Sequence, residues 1–97
     1  MSMHNPPHPG EFIASIYMEP HGISCRTLAK HLGVAASTLS RVVKGKSAIT
    51  PEMALRLSKV LGRTPESWLS LQDQYELWQV KQNVNLDDVH PIDLSAA

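Results

Sequence analysis

Cys25-Arg26-Thr27-Leu28-Ala29-Lys30-His31-Leu32-Gly33-Val34-Ala35-Ala36-Ser37-Thr38-Leu39-Ser40-Arg41-Val42 is the stretch on which the fold turns. Ser24 in front of it is a good helix N-cap, and Leu28, Ala29 and Leu32 share one face before Gly33 breaks the run. Leu39, Val42 and Val43 then resume helical spacing, and Gly45 is placed to end that second helix. Two helices joined by so few residues meet at a steep angle. The position of closest approach must be small, which Ala29 supplies, and the turn needs a left-handed backbone, which Gly33 supplies. Leu28, Leu32, Val34, Leu39 and Val42 fix the angle by burial. The pattern predicts a helix-turn-helix over residues 24–44. The same residues are compatible with an αα-hairpin that binds nothing.

Upstream, residues 1–9 hold three prolines and two histidines without periodicity and predict a flexible, extended arm. Phe12, Ile13, Ile16 and Tyr17 give one apolar face to a short first helix that Pro20 and Gly22 must end. Downstream, Thr50-Pro51-Glu52 is a helix start, with the cap on Thr50 and proline in the first turn. Met53, Ala54, Leu57, Val60 and Leu61 line one face of this fourth helix, 51–61, and Glu52 stands four residues before Arg56, a favourable pair. Thr64-Pro65-Glu66 repeats the start signal. Trp68, Leu71, Tyr75, Trp78 and Gln82 follow at spacings of three and four, the seam of a fifth helix over 65–82. Val84, Leu86, Val89, Ile92 and Leu94 are interrupted by Pro91 and predict an acidic, extended tail over 83–97. The expectation is an all-α domain of five helices over residues 10–82, with no confident β-pairing and no repeat.

The 97 residues carry nine Lys plus Arg against nine Asp plus Glu, a formal charge of zero, which read naively argues against a polyanionic partner. By position the total divides sharply: −2 over residues 1–23, +7 over 24–63 and −5 over 64–97. The positive block coincides with the helix-turn-helix. No apolar run approaches the ~18 residues of a membrane span, and the first residues lack a secretory signal, so a cytoplasmic protein without membrane attachment is expected. The single cysteine, Cys25, allows no internal disulfide. His4 and His8 sit in the arm, and His21, His31 and His90 lack ligand spacing, so no metal site is expected. Cys25 and His31 lie six residues apart on different helix faces, which disfavours a nucleophilic pair. Neither an enzyme nor a cofactor is expected, and no Gly-rich phosphate loop is present.

With the second helix of the pair in a major groove, the side chains opposite Leu39, Val42 and Val43 meet the bases: Ala36, Ser37, Ser40 and Arg41. Arg41 suits a bidentate grip on guanine, the serines suit hydrogen bonds to either strand, and Ala36 suits a thymine methyl. Ser37 and Thr38 also have a plainer reading as the start of a helix. Arg26, Thr27, Thr38, Lys44 and Lys46 flank the groove as phosphate contacts, which position without specifying sequence. Lys30, Arg56, Lys59 and Arg63 read equally as a solvated face. Trp68, Leu71, Tyr75 and Trp78 have two compatible roles, core packing of the fifth helix and a dimer interface.

Several blocks together resemble a known family: His8-Pro9-Gly10-Glu11, Leu28-Ala29 through Leu39-Ser40-Arg41, Gly45-Lys46, Ile49-Thr50-Pro51-Glu52-Met53-Ala54-Leu55-Arg56-Leu57, and Trp68-Leu69 to Gln74-Tyr75-Glu76-Leu77-Trp78. Over about residues 8–82 the chain is similar to the HigA antitoxins, which are lambda-repressor-like, Xre-type helix-turn-helix proteins. The resemblance implies a type II toxin–antitoxin antitoxin. Such a protein neutralises a HigB toxin, a RelE-like mRNA endonuclease, and represses the operon of both by binding double-stranded operator DNA as a homodimer. One departure is Ala35-Ala36, where related proteins often carry a polar residue. The acidic end would suit a basic toxin or be simply a solvated tail. The rival readings are a stand-alone transcriptional repressor without a toxin, and a non-DNA interaction module on the same helices.

Overall fold

A computed structural model describes residues 5–96. Its elements are α1 (Pro9–Ile13), which continues through a π-helical turn (Ala14–Met18) and a 3-10 turn (Glu19–His21), then α2 (Cys25–Leu32), α3 (Ala36–Val43), α4 (Pro51–Leu61), α5 (Pro65–Asn83) and a short 3-10 turn (Leu94–Ala96). The described residues contain no strand. The fold is the expected all-α, lambda-repressor-like arrangement of five helices.

Three helices begin on the side chains the sequence offered. Ser24, Thr50 and Thr64 each accept the amide three residues on, from Thr27, Met53 and Ser67, all at 3.1 Å. Pro51 and Pro65 occupy first-turn positions where no N–H is needed. Gly33 ends α2 at φ 72°, ψ 32°, the left-handed conformation the tight turn requires. Ile13, Met18, Leu28, Ala29, Leu32, Leu39, Val42, Ile49, Met53, Ala54, Leu57 and Trp68 form one buried cluster at the meeting of all five helices.

The first helix departs from expectation in register. Ile16, read as part of its apolar face, is half exposed, and Met18 is buried in its place. The cause is the π-helical turn: its wider i→i+5 winding puts Met18, five residues after Ile13, on the core side.

The N-terminal arm also differs from a free segment. His4 lies outside the described residues, but Pro6, His8 and Pro9 are buried, and helix starts at Pro9. His8 does the anchoring. Its Nδ1 accepts the Gly10 amide at 2.9 Å, capping α1, and its ring meets Tyr75 of α5 edge-on at 4.9 Å. Only an unprotonated Nδ1 can accept. Burial lowers the His8 pKa from the ordinary 6.5, outweighing Glu76 and Glu11, which raise it. The unfolded chain therefore binds this proton at a higher pH than the folded one, and stability falls as pH drops through and below 6.5. Between about pH 7 and about pH 5 the melting temperature of the wild type is expected to fall more than that of His8→Asn, which keeps a capping acceptor but does not titrate. Parallel profiles would show that the loss originates elsewhere.

Candidate nucleic-acid interface

α2 and α3 cross where Ala29, 2 % exposed, lets them approach, and Cys25 Sγ donates to the Ala36 carbonyl at 3.7 Å, tying the two N-termini together. Burying Leu39 and Val42 turns the opposite side of α3 outward. Ala36, Ser37, Arg41 and Lys44 stand exposed on it, while Ser40 and Thr38 are half-buried at its edges. Lys46 is exposed in the loop that follows. On α2, Arg26 and Thr27 are exposed and line a shallow groove of about 570 Å³ together with Lys30 and His31. The Thr27 hydroxyl oxygen accepts from Ser24 at 3.0 Å, leaving its own hydrogen directed away from that bond.

The electrostatics of this face are simple. Among the described residues the one ion pair is Arg56 with Glu52, at 3.9 Å on a solvated surface. Arg26, Lys30, Arg41, Lys44 and Lys46 therefore have no carboxylate to neutralise them, and their charges add into one positive field around α2 and α3.

Two cations read as a solvated face do other work. Arg56 Nη1 donates to the carbonyls of Leu32 at 2.8 Å and Gly33 at 3.4 Å, satisfying the exposed end of α2 and bracing the turn from α4. Arg63 sits over the rings of Phe12 and Trp68, at 5.1 and 5.4 Å. Gln72, which periodicity did not single out, is buried. It accepts the Ile49 amide at 2.9 Å and donates to Glu76 at 2.9 Å, fastening the loop after α3 to α5.

Of the two roles read for the fifth-helix seam, the structure shows core packing, and it corrects the interface reading at Trp68. Trp68 is fully buried within its own domain, with Nε1 donating to the Gly62 carbonyl at 2.9 Å, so it cannot face a partner. Leu71 packs partly buried against the same core, Tyr75 holds His8, and half-buried Trp78 lines a cleft of about 370 Å³ with Pro6 and Pro7. The seam packs on its own core and arm because α5 lies against α4 and, less extensively, α1.

With this geometry in place, the helix-turn-helix family matches residues 16–69, more than half of the chain. The chain belongs to the Xre-type helix-turn-helix family. Within it, this helix-turn-helix protein is 40 % identical over 86 residues to the uncharacterized HTH-type transcriptional regulator YddM of Escherichia coli, covering 89 % of this chain and 90 % of that one. It is 36 % identical over 72 residues to antitoxin HigA-1 of Vibrio cholerae, covering 74 % and 68 %. Among solved structures it is similar to antitoxin GraA in complex with its operator, with a TM-score of 0.80, 34 % identity and 95 % of each chain covered. No helix among the described residues is long and apolar enough to cross a membrane.

Proposed function

We propose that this chain is a dimeric operator-binding repressor that also serves as the antitoxin of a HigB/RelE-like toxin. One observation carries the DNA-binding half: a face built by α2 and α3, with five cations and no carboxylate paired to them. Ala36, Ser37, Ser40 and Arg41 are assigned to base edges. Arg26, Thr27, Thr38, Lys44 and Lys46 are assigned to phosphates, and two copies read the two halves of a palindrome. The antitoxin half is supported by the likeness to HigA-1 and GraA, each named an antitoxin. A stand-alone repressor is the second reading, favoured by the likeness to YddM, named only as a transcriptional regulator.

Titration of the DNA upstream of the gene should show log K falling linearly with log salt, by about 0.9 for each phosphate contacted. A flat response would remove DNA from the account. Arg41→Ala is expected to weaken binding by ~1–3 kcal/mol with an unchanged melting temperature, because its side chain is exposed. Unaltered affinity would exclude Arg41 as a base reader. Co-expression with the neighbouring open reading frame, followed by pull-down, separates antitoxin from stand-alone repressor.

A further inference from the structure

The loop between α3 and α4 carries two of the cations assigned to phosphates, Lys44 and Lys46, and residues 44–46 and 48 of it are exposed. Its own backbone folds it back over the end of α3: the Lys46 and Ser47 amides donate to the Arg41 carbonyl at 2.8 and 3.2 Å. Two further holds come from outside the helix-turn-helix. Gly45 faces the His8 ring, from which a Cβ built on that glycine would stand 3.7 Å away. Four residues on, the buried Ile49 donates its amide to Oε1 of buried Gln72 at 2.9 Å. His8 leans in turn on Tyr75, so both holds are anchored within one turn of α5, where Gln72 also donates to Glu76. Lys46 lies between them and Lys44 just before the first. The base-facing side chains need neither hold, because Ser37, Ser40 and Arg41 ride on a helix seated by buried Leu39 and Val42.

We propose that His8 and Gln72 are positioning residues for DNA binding: without touching DNA they hold the loop after α3 where its lysines meet the phosphates. This deepens the DNA-binding reading above and rests on it. A loop ordered in advance loses less freedom when it binds, so the two holds raise affinity. They do so without sequence preference, because phosphate contacts carry no sequence information. His8 makes its hold depend on pH. Glu11 of α1 and Glu76 of α5 favour a charge on the ring, Tyr75 meets it edge-on, and Lys44 and Lys46 flank Gly45 on the loop side. Nδ1 accepts the Gly10 amide only while it is unprotonated, so a proton there breaks the cap and releases the ring from Gly45. The held loop is therefore the high-pH form, lost as pH falls through a pKa that burial sets below 6.5.

The test is titration of the full chain, by fluorescence anisotropy, against the duplex upstream of the gene and a scrambled duplex, at a temperature where melts show every variant folded. Gln72→Met keeps the side-chain volume but offers the Ile49 amide no oxygen, and His8→Asn keeps a cap but removes the ring. Each is expected to weaken binding to both duplexes by the same factor, roughly tenfold. In a Lys44→Ala/Lys46→Ala background neither should weaken it further, since nothing is left to position. Between about pH 7.5 and about pH 5 the affinity of the wild type should fall toward that of His8→Asn, whose own profile is flatter. Variants that bind as the wild type does, or that lose as much affinity without the two lysines, overturn the inference. So does a loss confined to the upstream duplex, which would place the effect in α3. A wild type that binds neither duplex removes the DNA-binding reading and the inference with it, whereas salt-dependent wild-type binding with unaffected variants removes the inference alone.

Discussion

Gly10→Ala is expected to destabilise the protein by about 3 kcal/mol or more, lowering the melting temperature by roughly 12 °C or more for a domain of this size. The sign is the informative part. Alanine in place of a helical glycine ordinarily stabilises by about 0.5–1 kcal/mol. Here a Cβ would overlap the Val42 carbonyl oxygen and lie 2.7 Å from its carbon and 2.8 Å from the Val43 Cα. Those are backbone atoms of α3, so no rotamer change can relieve the overlap, and the Val42 carbonyl is already engaged by the Gly45 amide at 3.0 Å. The start of α1 must move away from the end of α3, and the His8 cap on the Gly10 amide moves with it. Thermal melts of the two proteins decide the matter: an equal or higher midpoint for the variant would mean that α1 and α3 do not approach so closely.

Trp68→Ala is expected to cost ~3–5 kcal/mol, a large share of the ~5–15 kcal/mol by which such a domain is stable. The ring is fully buried, with Tyr17 at 5.8 Å, Phe12 at 6.0 Å and the Arg63 guanidinium at 5.4 Å from it. Its loss opens a cavity and also strands the Gly62 carbonyl that Nε1 satisfies at 2.9 Å. Trp68→Phe should therefore fall between, retaining most of the packing but losing the hydrogen bond, at about 1–3 kcal/mol. Urea denaturation measures both. The folded fraction of each variant should keep the wild-type monomer–dimer equilibrium. A variant that stayed fully stable yet became monomeric would return Trp68 to an interface.

What could be read from the residues alone was whatever depends on near neighbours. Ser24, Thr50-Pro51 and Thr64-Pro65 announce helix starts because a cap bonds an amide three residues away, and Gly33 announces the turn because its backbone is left-handed. Arg56 escaped because its partners, Leu32 and Gly33, are over twenty residues off and are carbonyls, which leave no mark in a sequence. Gln72 escaped for the same reason, being a polar residue whose burial depends on the Ile49 amide. The docking of the arm leaves no mark in the sequence, because a histidine cap and an edge contact to Tyr75 have no local signature. On α5 the spacing of the aromatics was legible, but the core and the arm had already claimed that face. The cations of the candidate interface were legible as a cluster because charge is additive in sequence as well as in space.

α2, α4 and α5 each begin on a hydroxyl, whereas α3 begins on Ala35, which contributes no side-chain hydrogen bond. A serine or aspartate there would be worth about 0.5–2 kcal/mol to the isolated protein. It would also fill, with its own oxygen, the space in front of the first amides of the helix that carries Ser37 and Arg41. The helix without a side-chain cap is thus the one proposed to enter the groove, and if it does, stabilising that end would be expected to trade affinity for stability.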